Sequence, residues 1–237
     1  MRLTASRFRP NRVRMTPWTL IETAENPDGM RLELLRRGPH FSIRSGGQLL
    51  MNSRVHDSEQ ALARLALDAF GAPERASVLV GGLGFGYTLA ATLALLGTGG
   101  SVTVVEVAPA VIRWNRERLG ELNGRALDDA RVSVIEGDVC ARFRARASRF
   151  DVILLDVDNG PRAVGRPGNA WLYTPDGLDT IKATLSEGGV LAVWSAGPEV
   201  GFSDRLREAG FEVVLHRVQS HAAKTGERHF IWIAKNR

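Results

Sequence analysis

Three glycines at alternate positions, Gly82, Gly84 and Gly86, follow the apolar run "SVLV". Acidic residues then close three further runs of the same kind: Glu106 after "SVTVV", Asp138 after "RVSVIEG" and Asp156 after "FDVILL". A glycine turn leaving a strand lets the backbone approach a ligand closely. Carboxylates at successive strand ends accept hydroxyl and amino hydrogens and attract a cation. Together they suit an adenosyl group: Glu106 can take both ribose hydroxyls, Asp138, followed by Val139, can accept from the adenine amino group, and Asp156 adds a third acid to the same rim. The glycines alone would equally serve a tight helix–strand contact. It is the three acids on one rim that point to a ligand.

Other ligands fit the loop less well. A dinucleotide turn needs G-x-G-x-x-G, and Tyr87 stands where its third glycine belongs; a phosphate loop needs G-K-[ST], which is absent. A carboxylate-lined pocket repels a pyrophosphate and suits a sulfonium cation.

Those acids share a rim only if their strands are parallel. The runs "ASVLVG", "SVTVVEV", "RVSVIEG", "FDVILLD" and "GVLAVWS" are short, β-branched and almost wholly apolar, and helical stretches at 85–96, 109–120 and 176–186 lie between them. "FEVVLHRV" and "RHFIWIAK" have no helix between them and must pair antiparallel. The expected fold is therefore α/β: a Rossmann-like, doubly wound, mostly parallel seven-stranded sheet with an antiparallel C-terminal strand pair. Before it, "WTLIETA", "MRLELLRR", "HFSIRS" and "QLLMN" alternate in polarity between turn formers, which predicts a small antiparallel β unit over 16–55. The transferase-like domain is expected over 56–237 and a flexible arginine-rich segment over 1–15. A helix should start at Asp57, capped by a box of Asp57 with Gln60, and Gly188-Gly189 should end another. Trp114 and Trp232 fall on packing positions, and Asn115 reads as surface.

The chain has 237 residues, 44% of them hydrophobic, and a formal net charge of +5. Its basic residues are nearly all arginine and spread along the chain, apart from a cluster at Arg2, Arg7, Arg9, Arg12 and Arg14. Neither a nucleic-acid partner nor a membrane is expected. The single cysteine, Cys140, excludes an internal disulfide, and the five histidines lack metal-ligand spacing, so no metal is expected. The amino terminus lacks the apolar core of a secretory signal, which suggests a cytoplasmic protein.

From about residue 18 onward the chain resembles the spermidine synthase (polyamine aminopropyltransferase) family of S-adenosylmethionine-dependent transferases. The family's "GGGDGGTL" aligns without a gap on residues 82–89, "VEID" on "VEVA", "DPRV…GD" on "DARVSVIEGD", and "YDVIIVDSSDP" on "FDVILLDVDNGP". "LFT…F…LKEGG" is similar to "LYTPDGLDTIKATLSEGG". The resemblance implies ribose binding by Glu106, adenine binding at Asp138, and deprotonation of an attacking amine by Asp156. It also implies a homodimer formed through the amino-terminal β unit.

Four departures stand out. The family's acid inside the glycine loop is Phe85 here, its "YHE" is Asp57-Ser58-Glu59, the second aspartate of "DSSDP" is Asn159, and the glutamine after strand five is Trp194. Glu59, Asp158 and Asn159 are the candidate anchors for a cationic acceptor. Trp171 and Tyr173 are candidates to stack on it, and His56 lies close by in sequence. The expected function is transfer of an aminopropyl-type group from an S-adenosyl sulfonium donor, S-adenosylmethionine or its decarboxylated form, to a small-molecule amine. Methyl transfer from S-adenosylmethionine is the alternative, and a non-catalytic adenosyl-binding module the second.

Overall fold

Alternating polarity early in the chain builds a four-stranded antiparallel meander: β1 (Thr19–Glu25), β2 (Arg31–Arg37), β3 (His40–Ser45) and β4 (Gln48–Asn52), each paired with the next. In this computed structural model the described residues are 16–27, 29–146, 148–157, 160–161, 167–219 and 228–237. Asp158, Asn159 and segment 1–15 lie outside them.

The meander is followed by α1 (Asp57–Phe70), β5 (Ser77–Gly81), α2 (Tyr87–Leu95), β6 (Ser101–Glu106), α3 (Pro109–Trp114), β7 (Val132–Glu136), α4 (Val139–Ala145) and β8 (Phe150–Leu155). The chain continues with α5 (Pro175–Thr184), β9 (Leu185–Ser195), α6 (Phe202–Glu208), β10 (Phe211–Gln219) and β11 (Arg228–Asn236). The second sheet has the order β10-β11-β9-β8-β5-β6-β7. Strands β5 to β9 run parallel, and β11 is antiparallel to both β9 and β10, as the sequence predicts.

Both faces of this sheet are covered, which explains the continuous apolar runs. Val78 and Val80 meet Leu62 of α1, Leu89 of α2, Trp114 of α3 and Leu34 and Ile43 of the meander in one core. Leu79 and Ile153 face a second core with Phe143 of α4, Ile181 of α5, Phe202 of α6 and Trp232. Trp114 and Trp232 are packing residues, as expected. The meander is also fastened to the second sheet's layer. Glu22 of β1 accepts from Arg113 and Arg118, and the Tyr87 hydroxyl donates to Ser53 O at 3.0 Å.

Three local expectations are corrected. His56, not Asp57, precedes the first helical residue, and Gln60 N–H donates to its carbonyl, so the Asp57–Gln60 box does not form. The pair Gly188-Gly189 does not end a helix. Helix α5 stops at Thr184, and β9 already runs through both glycines, advancing from Leu185 to Val190 while β8 advances from Phe150 to Val152. The glycines therefore form a bulge. The helix predicted over 109–120 is regular only to Trp114 and continues as a π turn over Asn115–Leu119.

Candidate active site

The sheet order reverses at β5: β6 and β7 lie to one side, β8 and β9 to the other. Loops diverge there and leave a crevice at the carboxyl ends of the strands. It holds a cavity of about 240 Å³ lined by Gly82, Gly84, Glu106, Asp138, Val139, Asp156 and Glu59. These are seven of the predicted site residues in one place.

Gly82 is required by contact. Its φ is +88°, and a Cβ there would lie 2.3 Å from the carbonyl oxygen of Asp156. The two strand-end loops thus approach closely here, with the Asp156 carbonyl nearest to Gly82. Gly86 does not line the cavity. It precedes α2 with φ +79°, and a Cβ would meet Asn123 Nδ2 at 2.4 Å. Its role is to let the loop turn over Asn123, one layer behind the site.

Asn123 and Asn115 hold the loop from below. Asn115 donates to Gly84 O at 2.8 Å and to Val111 O at 2.9 Å; Asn123 donates to Phe85 O and to Asn115 Oδ1, each at 2.8 Å. Asn115 is buried, contrary to its predicted surface position. The available signal was its place four residues after Val111, on the apolar stripe of the helix. Asn123→Ala would strip two acceptors of a buried donor, and Ala126 N–H of its acceptor. That should cost about 1–3 kcal/mol. The melting temperature should fall by roughly 2–4 °C per kcal/mol, measured by thermal denaturation.

The acids divide into two groups along the rim. Glu106, on the β6 side, accepts Leu83 N–H on one carboxylate oxygen and Ala108 N–H on the other, both at 2.8 Å. A carboxylate oxygen can accept more than one hydrogen bond, so a ligand hydroxyl can share these oxygens. Asp138 caps α4 through Cys140 N–H at 2.8 Å and also faces the cavity.

On the β8 side, Asp156 accepts the Thr88 hydroxyl at 2.6 Å, and Glu59 of α1 accepts that of Ser58 at 2.6 Å. Burial, aided by the neighbouring Glu59 charge, pushes the Asp156 carboxyl up to about 7, against the Thr88 bond. Burial also raises Glu59. The Tyr87 phenol is pushed up to about 12, by burial and then by Glu59. No lysine, arginine or histidine lines the cavity among the described residues. The arrangement attracts a cation and offers it a base.

The remaining walls are mostly apolar, with Asn26, Tyr87, Thr88 and Asn169 as polar members. Phe85 and Trp194 take the places of the family's acid and glutamine, and Ile43, Leu50 and Met51 come from the meander. Sequence reasoning missed these three, because nothing local to β3 or β4 indicates which strand will face the crevice. Tyr173 is corrected: it is buried on the other face of the sheet with its ring edge-on to Phe202 at 5.7 Å. The short turn Pro167–Tyr173 ends against α5 and directs Tyr173 into that core, while Asn169, from the same turn, reaches the cavity. Trp171 stacks under Arg144 at 4.2 Å, and His56 rests on Tyr87 at 4.4 Å. Among the described residues no group of three or more side chains is placed to hold a metal, and no helix is long and apolar enough to cross a membrane.

Comparison with known proteins agrees with this fold. A family model described as the spermine/spermidine synthase domain matches residues 59–201. Polyamine aminopropyltransferase 2 of Streptomyces coelicolor is 34% identical over 179 residues, covering 70% of this chain and 31% of that protein. Polyamine aminopropyltransferase of Mycobacterium tuberculosis H37Rv is 31% identical over 153 residues, covering 60% and 28%. The chain thus spans about a third of the length of these curated relatives. In fold it is similar to spermidine synthase of Thermotoga maritima, with TM-score 0.74 and 19% identity over 92% of this chain and 73% of that one. A spermidine synthase solved with the transition-state analogue AdoDATO gives TM-score 0.73 and 18% identity over 92% and 72%.

Proposed function

The chain belongs to the spermine/spermidine synthase family, and from that premise we propose that it transfers an aminopropyl group from decarboxylated S-adenosylmethionine to a small-molecule amine. The observation that carries the proposal is the cavity's charge: four carboxylates, Glu59, Glu106, Asp138 and Asp156, and no described basic side chain. A sulfonium with a protonated amine on its tail is welcome there. The carboxylate of S-adenosylmethionine itself would meet these four acids and find no lysine, arginine or histidine among the described lining residues to pair with, which argues against methyl transfer.

In the proposed reaction the acceptor ammonium gives a proton to Asp156, and the freed nitrogen lone pair attacks the methylene carbon beside sulfur. The C–N bond forms as the C–S bond breaks, and methylthioadenosine leaves neutral. The positive charge lost from sulfur appears on the new secondary amine. No oxyanion develops, so the protein's contribution is positioning and a base. Glu106 and Asp138 are assigned to the adenosyl end, and Glu59 with Asp156 to the acceptor. Phe85 in place of an acid removes one anchor for the donor's amine and leaves that task to the remaining carboxylates.

The proposal is tested by thermal shift with methylthioadenosine, S-adenosylhomocysteine and NAD side by side. At about a hundred times its dissociation constant a ligand adds roughly 2.7 kcal/mol, which amounts to several degrees for a chain of this size. Methylthioadenosine should give the largest shift. A larger shift with S-adenosylhomocysteine would instead indicate methyl transfer, and a shift with NAD alone would remove both readings. We extend the proposal to a homodimer formed through the meander, supported by the exposed Leu20, Ile21 and Leu49 on β1 and β4. Sedimentation equilibrium should return twice the chain mass, and a monomer at micromolar concentration would refute it.

A further inference from the structure

Ser58 is fully buried, and its hydroxyl has two partners, Glu59 Oε2 at 2.6 Å and His229 Nδ1 at 2.8 Å. A hydroxyl has one hydrogen to give. If it goes to Glu59, His229 must donate from Nδ1; if it goes to His229, Glu59 must itself hold a proton and donate. These two arrangements differ by one proton moved from one end of the chain to the other. Glu59 faces the cavity, while His229 is half-buried at the start of β11 with its ring edge-on to the cavity residue Trp194 at 4.8 Å. Ser58 and His229 are 171 positions apart in sequence, yet the hydroxyl joins His229 to Glu59.

We propose that His229 is a positioning residue that draws a proton out of the cavity through the Ser58 hydroxyl and so keeps Glu59 ionised. The inference rests on the proposed reaction only for the origin of that proton, the acceptor ammonium. The acceptor ammonium gives its proton to Asp156, and Glu59, whose charge bears directly on Asp156, takes the proton on from there. The carboxyl of Glu59 passes a hydrogen to Ser58 Oγ while the Ser58 hydroxyl hydrogen moves to His229 Nδ1. Glu59 ends as a carboxylate, Ser58 is unchanged, and His229 becomes an imidazolium, which releases the proton to water.

Other groups bear on the same equilibrium. Glu59 feels Asp57 in its own turn, Asp156 from the end of β8 and Tyr87 from α2, and His56 lies against Tyr87. His229 faces Ser58 from α1 and Trp194 from β9; its partner on β10 is Val218, between Arg217 and Gln219, and Arg228 precedes it.

Carboxyl and imidazole titrations read by NMR test the relay without turnover. His229→Asn keeps an N–H near the position of Nδ1 but cannot take a proton. Loss of a cationic partner should raise the Glu59 midpoint by about one unit or more. Conversely, Glu59→Gln should lower the His229 midpoint by a similar amount, since coupling between two sites is reciprocal. The two measurements use different variants, so misfolding of one leaves the other, and either midpoint staying in place overturns the relay. In a transfer assay with decarboxylated S-adenosylmethionine and putrescine, His229→Asn should move the pH profile of kcat and leave the donor KM unchanged. Absence of transfer by the wild-type protein would overturn the proposed reaction, and the titrations would still decide the relay.

Discussion

Asp156→Asn is expected to lower kcat by about 10²–10⁴-fold, the usual worth of a positioned base, and at pH 8 to make the protein more stable. Both effects follow from the same burial. Asp156 sits at the end of β8 under Gly82, its carboxylate touching the Thr88 hydroxyl and facing Glu59. Its folded value of about 7 lies above the ordinary 3.8 of an aspartate. Between those values the folded chain keeps a proton that the unfolded chain has released. The group's stabilisation is therefore complete below about pH 4 and is lost as pH rises through 7. At pH 8 the wild-type protein carries the full cost of a buried anion, about 1.4 kcal/mol per unit or a few kcal/mol in all.

Asparagine carries no charge, and its carbonyl still accepts from Thr88. The variant's melting temperature should exceed that of the wild type at pH 8, and the gap should shrink toward pH 5. A gap independent of pH would mean that Asp156 is not held above its ordinary value. Activity gives the complementary reading. A base must be ionised, so the wild-type rate should rise with pH through about 7 and then level. The variant should lose that limb as well as the rate. A variant that loses stability at both pH values and retains the limb would assign the base elsewhere, with Glu59 next in reach.

What could be read from sequence follows from how each feature is encoded. Val78 to Val80 and Val152 to Leu155 announce strands buried on both faces, because a parallel sheet under two helix layers leaves no polar face. Glu106, Asp138 and Asp156 could be placed together because parallel strands send all their carboxyl ends to one rim. Features that depend on side-chain direction were hidden. Tyr173 stands next to a turn that could send it either way, and the turn sends it into the core. Asn115 looks like any polar helix residue until the π turn brings it under Gly84 O. The pair Gly188-Gly189 suits a helix end as well as a bulge, and the neighbouring pairing of Leu185 decides it. His229 and Ser58 lie on strand and helix at opposite ends of the chain, and only the packing of α1 near β11 joins them. Local pattern encodes elements and their order. It does not encode which of two faces a side chain takes.

Glu106→Gln should weaken methylthioadenosine binding by about 100-fold or more, the largest loss expected at the adenosyl end. The carboxylate has two tasks at once. Its oxygens accept Leu83 N–H and Ala108 N–H, which ties the glycine loop to the turn after β6, and the carboxylate also lines the cavity. The proposed ribose contact uses the same two oxygens, since a carboxylate oxygen can accept more than one hydrogen bond. Glutamine has one acceptor oxygen, so its amide nitrogen must confront either Leu83 N–H or Ala108 N–H, donor against donor, in a buried position. An unsatisfied buried donor costs about 1–3 kcal/mol, and each hydrogen bond to the lost charge about 1.5–3 kcal/mol. Two ribose bonds lost together come to about 3 kcal/mol or more, which matches the roughly 2.8 kcal/mol of a hundredfold change. Isothermal titration with methylthioadenosine gives the affinity directly, and thermal denaturation of the free variant separates the loop's loss of support from the loss of contact. Asp138→Asn is the control, since asparagine caps a helix about as well as aspartate: it should leave stability unchanged and weaken binding only by its own contact. Unchanged affinity in Glu106→Gln would confine Glu106 to bracing the loop and move the ribose to another part of the rim.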